Sequence, residues 1–373
     1  MKQNEIHVAY GTDHLQMTME LLAAMDIAGE LHSGMSVAIK PNLVVAKEAR
    51  TGATTTPAVV EGIIRYLQSH GITNISIMEG SWVGDDTKRA FAVAGYRALA
   101  DKYGLPLYDL KDDEYVVRRA GPFDMQVCRK PLEADYLINV PVLKAHCQTH
   151  LTCALKNLKG CLTDSEKRRF HRLGLMKPIG CLGKAVTPAL TVVDAIAGDL
   201  TFEEGGNPVP MNRIFAGRDM VLLDAYAASL LGFATADIEY IGIAEAEGVG
   251  SADLSQAVIR EYHRNLKQSL NFKPPGQALL LTRQVVAREA CSACYGSLIH
   301  ALQRLRDKGS LAALTQPVHI GQGFQGQKVG GLGIGSCTQG CDVHLPGCPP
   351  TARDMVHFLE QAMVKGKPQK PNK

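Results

Sequence analysis

The sequence lacks long apolar runs and any strong excess of charge. No segment reaches the roughly 18 consecutive apolar residues that a membrane-spanning helix needs. The amino-terminal MKQNEIHVAYGTDHLQ also has no apolar core of the kind found in secretory signals. The formal net charge is +3, whereas nucleic-acid binding needs a concentrated basic face. We therefore expect a cytoplasmic protein that binds neither membranes nor nucleic acid, and we leave its oligomeric state open.

The composition is that of an ordinary globular protein. Hydrophobic residues make up 46% of the chain and charged residues 21%, which argues against a disordered or fibrous protein. The length of 373 residues suggests two or three domains, each large enough for its own core. Because thiols stay reduced in the cytoplasm, the ten cysteines are not expected to form a disulfide framework.

Residues 1–284 read as alternating strands and helices. The clearest helical pattern runs from Pro57 to His70, with proline at the first helical position and Gly71 beyond the end. A second helix is predicted over 219–231. Strands that alternate with helices predict an α/β domain, with a mixed or mostly parallel sheet flanked by helices. The strands are predicted at 5–10, 35–40, 74–78, 135–140, 190–193 and 278–282.

Residues 285–373 are predicted to form a smaller C-terminal α/β domain. The polar, proline-containing stretch 271–277 approaches the boundary, and helices are predicted at 295–308 and 351–364. The motif GQGFQG at 321–326 matches GxGxxG by letter but opens no helix, so we interpret it as a loop and not as a dinucleotide site. The final eight residues are expected to be disordered.

Five of the ten cysteines lie between residue 291 and the end of the chain, in the motifs CSAC, GSCTQGC and PGCPP. A CxxC motif brings two thiolates to one metal centre, and more distant cysteines complete the ligand set. We expect Cys291, Cys294, Cys337 and Cys348 to hold a 4Fe–4S cluster, with Cys341 as the alternative to Cys337. Glycine before Cys337 and proline after Cys348 favour a cluster over zinc, although zinc and a redox dithiol stay open as alternatives.

Polar residues also follow several predicted strands, where α/β sheets usually bind their ligands. Each could equally cap a helix or be solvated in a loop. Lysine and histidine side chains that converge on one cleft suit a carboxylate or phosphate, and a neutral histidine can transfer protons near pH 7. The strand-end residues are Lys40, Asn42, Glu79, Lys144, His146 and Asp194.

Eight segments in series, together covering roughly residues 30–250, resemble the domain-of-unknown-function family numbered 362. Many members of that family carry a compact ferredoxin-like cysteine run, whereas the cysteines here are dispersed. Separately, PGCPP and the helix after it resemble the cluster loop of nickel–iron hydrogenase small subunits and of the related subunit of complex I. The eight segments are VAIKPNLV, TTTPAVVEGIIRYL, MEGS, ADYLINVPVLKAH, LTCALKNLKG, FHRLGL, LTVVDAI and IFAGRDMVLLDAYAASLLG.

The family resemblance extends the candidate cleft. It adds Lys156, Asn157 and Lys159 from LTCALKNLKG and His171 from FHRLGL, with Asp219 and Asp224 as further acidic groups. In the resulting prediction the catalytic residues are Lys144, His146, Lys156, His171 and Asp194. The predicted substrate-binding residues are Lys40, Asn42, Glu79, Asn157 and Lys159.

Together these features predict an iron–sulfur redox protein that acts on, or transfers electrons to, a small anionic substrate. A redox partner protein is part of this hypothesis. One alternative is a non-redox binding or metal-centre assembly protein. Another is an isomerase or transferase in which the metal only braces the fold.

Overall fold

The computed structural model describes residues 2–200, 203, 205–270 and 281–365. The chain divides into two compact units. Unit 1 consists of residues 1–170 and 175–274, and unit 2 consists of residues 171–174 and 275–373. Every helix in the described ranges is too short or too polar to cross a lipid bilayer.

Unit 1 contains twelve described strands and ten described α-helices. The strands are β1 (Glu5–Tyr10), β2 (Val37–Pro41), β3 (Ile75–Glu79), β4 (Leu107–Asp109), β5 (Tyr115–Ala120), β6 (Phe123–Cys128), β7 (Tyr136–Val140), β8 (Lys144–His146), β9 (His150–Thr152), β10 (Leu190–Asp199), β11 (Pro208–Gly217) and β12 (Val258–Tyr262). The helices are α1 (His14–Ala24), α2 (Pro57–Ser69), α3 (Thr87–Val93), α4 (Tyr96–Tyr103), α5 (Lys130–Glu133), α6 (Ala154–Asn157), α7 (Asp164–Arg172, whose last two residues group with unit 2), α8 (Met176–Ala185), α9 (Met220–Leu230) and α10 (Glu239–Ala246).

Eight of these strands form one mixed sheet in the order β12-β1-β11-β10-β7-β2-β3-β4. Five of its seven neighbouring pairs are parallel. The fold class predicted from the sequence, a mostly parallel sheet flanked by helices, is confirmed. Strands β1, β2, β3 and β7 lie within two residues of their predicted positions.

The sheet of unit 1 is covered by helices on both faces, because alternate residues of its strands enter two different cores. In β2, Val37 and Ile39 pack in the core that contains α1 and α2. Ala38, which points the other way, packs in the core that contains α8, α9 and α10. This double cover explains why every residue of β2 and β7 is buried, including the polar Lys40 and Asn139.

The parallel part of the sheet has a topological switch point between β2 and β7. From β2 the chain continues to β3 and β4 on one side, and β7 and β10 lie on the other. Lys40 of β2 lies opposite Asn139 of β7 in the register. In open α/β sheets ligands bind beyond the carboxyl ends of the strands at such a point. The residues that follow β2 and β7 therefore lie where a ligand site is expected.

Two strand predictions need correction. Strand β10 does not end at Val193 but continues to Asp199 as it pairs with β11, so Asp194 lies inside the strand. The strand predicted at 278–282 is not found in its described part, since Leu281 and Thr282 are helical and turn residues, and the next strand begins at Val285. The rest of that prediction, the stretch 271–277 and the tail 366–373 lie outside the described residues.

Unit 2 contains a four-stranded, wholly parallel sheet in the order β13-β14-β15-β16. Its helices α11 and α12 lie close to the predicted 295–308 and 351–364. Strand β14 directly precedes the GQGFQG motif. The elements are β13 (Val285–Ala287), α11 (Ser292–Asp307), β14 (Val318–Ile320), β15 (Val329–Ile334), β16 (Cys341–Leu345) and α12 (Ala352–Lys365).

Candidate functional site

Lys40 and Glu79 form a buried ion pair at the carboxyl ends of the adjacent strands β2 and β3. Lys40 Nζ lies 2.9 Å from Glu79 Oε2, and the two side chains are 0% and 3% exposed. Glu79 also accepts hydrogen bonds from the backbone N–H of Leu43 at 3.1 Å and of Gly80 at 2.7 Å. Lys40 and Glu79, both predicted to bind substrate, are therefore in direct contact, and each compensates the charge of the other.

A chain of three asparagine side chains crosses the switch point. The Asn42 amide donates to Asn157 Oδ1 at 2.9 Å, and the Asn157 amide donates to Asn139 Oδ1 at 2.8 Å. All three are buried. Buried amides that satisfy one another fix the local geometry, so this chain holds α6 against the ends of β2 and β7. Because Asn157 directly follows Lys156, the hydrogen bonds between the asparagines also fix the position of the Lys156 backbone.

Lys156, His146 and Lys144 surround the carboxylate of Glu203, and we name these four residues the Glu203 cluster. Lys156 Nζ lies 2.6 Å from Glu203 Oε1, and His146 Nε2 lies 2.7 Å from Glu203 Oε2. Lys144 Nζ donates to the Ala53 carbonyl at 2.7 Å and to the Glu203 carbonyl at 2.8 Å. The cluster thus joins the three residues predicted as catalytic around strand ends with one acid that the sequence did not single out.

The hydrogen bonds of His146 determine its tautomer. Its Nδ1 accepts from the backbone N–H of Gln148 and of Thr149, both at 3.0 Å. An atom that accepts cannot carry the proton, so the neutral ring holds its proton on Nε2, the atom that faces Glu203. Burial lowers the pKa of His146 to about 4, and Glu203 opposes this shift only in part.

Lys156 and Glu203 shift the pKa of each other in the buried site. Burial lowers the pKa of Lys156, while Glu203 raises it. Burial alone would raise the pKa of Glu203, but His146 and Lys156 hold it well below its usual value. Lys156 and His146 face the Glu203 carboxylate, whereas Lys144 faces two backbone carbonyls. Nitrogen groups that converge in this way suit an anion.

We expect the ring of His146 to stay neutral down to about pH 4, because the buried site disfavours the imidazolium. In the unfolded chain the ring titrates near 6.5, so its contribution to the free energy of unfolding is complete above pH 6.5. That contribution falls as the pH drops towards 4, by about 3 kcal/mol at most. Ring ¹⁵N chemical shifts, assigned with His146→Gln, measure the titration. A midpoint near 6.5 would show that the ring is not held in this environment.

Asp194 and Asp224 act as caps of helices that are remote in the sequence. Asp194 accepts from the N–H of Thr56 at 2.7 Å, where α2 begins. Asp224 of α9 accepts from the N–H of Ala154 at 2.6 Å, where α6 begins. Burial raises the pKa of both, that of Asp224 to about 7. The contacts of Asp194 are those of the helix-cap alternative, and its predicted catalytic role stays a prediction.

The two other predicted residues lie apart from these contacts. Lys159 is half-buried with Nζ 5.9 Å from the centre of the Phe170 ring, and its charge lowers the pKa of His146. His171 is half-buried in the last turn of α7 and groups with unit 2.

Sequence reasoning missed Glu203. It lies in the connection between β10 and β11, and nothing in TFEEGGNP distinguishes one turn glutamate from the next. An acid was expected opposite the lysines, but the candidates were Glu79, Asp194, Asp219 and Asp224.

In unit 2, the four predicted cysteine ligands all follow the carboxyl ends of strands in the parallel sheet. Cys291 and Cys294 come after β13, at the beginning of α11, while Cys337 follows β15 and Cys348 follows β16. The loops after β15 and β16 are joined, because the N–H of Ser336 donates to the Gly347 carbonyl at 2.9 Å. One edge of the sheet therefore carries the whole predicted set.

The electrostatics of the thiols distinguish Cys337 from Cys341. Burial raises the pKa of Cys294 to about 12, and the charges of Cys291, Cys348 and Cys337 act on it in the same direction. Burial also raises the pKa of Cys341, but the charge that acts there is that of Asp342. Cys341 is the first residue of β16 and so lies at the opposite end of that strand from the edge that carries Cys348.

Thiolates alone make up this donor set, which suits an iron–sulfur cluster or zinc. Gly335 leaves room beside it, since a Cβ there would lie 3.3 Å from Cys294 Sγ and its φ of +90° favours glycine. Among the described residues, no three histidine, cysteine or acidic side chains are placed so that they could hold a metal ion as they stand.

Comparison with known proteins gives a family match and distant relatives. The family model described as domain of unknown function (DUF362) matches residues 37–229. The thylakoid-associated protein sll1697 of Synechocystis sp. (strain ATCC 27184 / PCC 6803 / Kazusa) is 25% identical over 225 residues, which cover 58% of this chain and 69% of that protein.

Two solved structures are also similar over part of the chain, each with 14% identity. One is the lactate racemase apoprotein from Thermoanaerobacterium thermosaccharolyticum, with a TM-score of 0.40, covering 60% of this chain and 56% of that one. The other is a protein from Thermotoga maritima, with a TM-score of 0.37, covering 64% and 60%. The chain thus spans less than two thirds of either.

Proposed function

Because this chain belongs to the DUF362 family of domains of unknown function, we propose its function from its own side chains. It is an iron–sulfur protein whose unit 2 binds a 4Fe–4S cluster and whose unit 1 binds a small anionic substrate. We propose further that it is a cytoplasmic redox protein that exchanges electrons with a partner protein. The observation that carries the proposal is the gathering of Cys291, Cys294, Cys337 and Cys348 at one edge of one parallel sheet.

The residues fit the cluster in three respects. All four donors are thiols, they come from three loops that meet at the same sheet edge, and Cys294 is within the electrostatic influence of the other three. When bound, a 4Fe–4S cluster supplies a one-electron donor or acceptor. The N–H groups in the first turn of α11, beside Cys291 and Cys294, favour the thiolate forms that ligation requires.

The Glu203 cluster supports the choice of an anion as substrate. An incoming carboxylate or phosphate would use the donors that Glu203 now uses, Lys156 Nζ and His146 Nε2. Both lysines would balance its charge, and burial of the site would exclude water. His146, neutral and with its proton on Nε2, can donate a hydrogen bond to the bound anion.

A second candidate function is proton-transfer chemistry in unit 1 without any redox step, as in an isomerase. Buried Lys156 favours it, because burial lowers the pKa of its ammonium group and so brings proton exchange closer to neutral pH. In that case the metal in unit 2 would be structural. Turnover would then persist in a variant without the cluster, provided that unit 1 stays folded.

Analysis of the wild-type protein purified without oxygen tests the main proposal. We expect about four iron and four sulfide ions per chain, with absorbance from thiolate-to-iron charge transfer. A reductant of low potential should produce an electron paramagnetic resonance signal that disappears on reoxidation.

The alternatives give different results in the same experiment. A chain with neither iron nor sulfide contradicts the proposal, and one zinc per chain without sulfide identifies a structural zinc site. A cluster that cannot be reduced and reoxidised supports the binding or assembly alternative over a redox protein.

A further inference from the structure

We propose that Gln322, in the GQGFQG loop after β14, is a positioning residue that raises the reduction potential of the cluster through a hydrogen bond to Cys291. The inference rests on the proposed function, since it concerns the same four thiols. Gln322 Nε2 lies 3.4 Å from Cys291 Sγ, a distance at which an amide N–H donates to sulfur. The remaining steps concern how that contact is held and what it does.

Of the four strands of the unit 2 sheet, β14 is the one whose following loop carries none of the proposed cysteine ligands. Strands β13, β15 and β16 each lead into a loop with a proposed ligand, and β14 lies between β13 and β15. Because the strands are parallel, the residues after Ile320 emerge at the same edge as Cys291. Topology therefore brings Gln322 beside the ligand loop of the neighbouring strand.

Backbone hydrogen bonds fix the Gln322 loop against the segment that leads to Cys291. The N–H of Gln322 donates to the Glu289 carbonyl at 3.2 Å, and the N–H of Gly323 donates to the Arg288 carbonyl at 3.1 Å. The N–H of Arg288 donates in turn to the Ile320 carbonyl at 3.0 Å. Gln322 is thus held on both sides, immediately opposite the residues before Cys291.

The first glycine of GQGFQG allows this close approach. A Cβ on Gly321 would lie 1.9 Å from the Arg288 carbonyl oxygen and 2.7 Å from the Ala290 nitrogen, and its φ of +119° is one that other residues rarely adopt. The first glycine of GQGFQG, which does not open a dinucleotide-binding helix, thus lets the loop after β14 pack against the segment before Cys291.

A donor to a ligating sulfur changes the potential in a known direction. One-electron reduction adds negative charge to the cluster and its thiolates, so an N–H that points at sulfur stabilises the reduced form more than the oxidised form. Removing it favours the oxidised form. Since a hydrogen bond to a charged group is worth about a factor of ten or more, the effect is large enough to measure.

The test compares Gln322→Leu with wild type in a redox titration followed by electron paramagnetic resonance. We expect unchanged iron and sulfide content and an approximately tenfold lower ratio of reduced to oxidised cluster at a fixed potential, which is about 59 mV for one electron. Gln325→Leu is the matched control, because it makes the same change at an exposed position of the same loop. It should leave the potential unchanged.

Each other outcome has a definite meaning. A loaded Gln322→Leu protein with the wild-type potential overturns this inference and leaves the proposed function intact. A wild-type chain that binds no cluster overturns both. If Gln322→Leu does not bind a cluster, the wild-type protein labelled with ¹⁵N on its glutamine side chains provides the test. Absence of hyperfine coupling between the Gln322 side-chain nitrogen and the reduced cluster would overturn the hydrogen bond itself.

Discussion

Cys294→Ala is expected to leave the chain without iron, whereas Cys341→Ala is expected to bind as much iron as the wild type. Cys294 is the thiol on which the charges of Cys291, Cys348 and Cys337 all act, so its removal takes away a proposed ligand that senses the other three. Cys341 experiences the charge of Asp342, and it begins β16, away from the strand end that leads to Cys348. The expected difference is complete loss against no loss.

Iron and sulfide content per chain, measured side by side after anaerobic purification, checks both variants. The control is internal, because both substitutions remove one buried or half-buried sulfur from unit 2. Cys337→Ala completes the series and should behave like Cys294→Ala. If Cys341→Ala lost its iron while Cys337→Ala kept it, the ligand set would contain Cys341 and the alternative drawn from the sequence would be the right one.

Local patterns in the sequence were sufficient to predict most of the fold. Helix α2 begins with proline and ends before Gly71, and its predicted range differs from the structure by one residue. Strands β2 and β7 were recognisable because burial on both faces makes them apolar except at Lys40 and Asn139. Strand β10 extended beyond its prediction because pairing with β11 is a tertiary interaction that the sequence of β10 does not contain.

Contacts between distant segments limited the prediction of the site. The carboxylate of Asp194 accepts a hydrogen bond from the N–H of Thr56, where α2 begins, 138 residues earlier in the chain. Such a contact leaves no local signature, since the usual capping signal is a residue next to the helix. Lys144 and His146 were singled out because they follow a predicted strand, and Lys156 through the family resemblance, whereas Glu203 lies in a turn.

For the thiol site, the sequence predicted the candidate residues but not their arrangement in the fold. The sequence predicted Cys291, Cys294 and Cys348 with Cys337 or Cys341 as the fourth ligand, because a rare residue in a CxxC motif with distant partners carries more information than a lone lysine. Spacing did not reveal that three different parallel strands deliver them to one edge, nor that the loop of the fourth strand lies beside Cys291. Both arrangements depend on the order of the strands in the sheet, which local sequence patterns do not reveal.

Lys40→Met is expected to lower the free energy of unfolding of unit 1 by about 3–5 kcal/mol. The substitution leaves the Glu79 carboxylate without its counter-ion in a site where its side chain is 3% exposed. Two backbone N–H groups still donate to that carboxylate, but they do not neutralise its charge. Urea unfolding followed by the fluorescence of Trp82, the single tryptophan, reports on unit 1.

Two further variants isolate the cause of this effect. Lys88→Met breaks a surface pair with Asp112, in which the side chains are 63% and 65% exposed, and should leave the free energy of unfolding essentially unchanged. Lys40→Met combined with Glu79→Gln should recover part of the loss, because no unpaired charge remains. A loss below about 1 kcal/mol in Lys40→Met would contradict the buried pair. If the large loss is observed, weaker substrate binding by Lys40→Met does not identify Lys40 as a substrate ligand, because the variant has also lost stability.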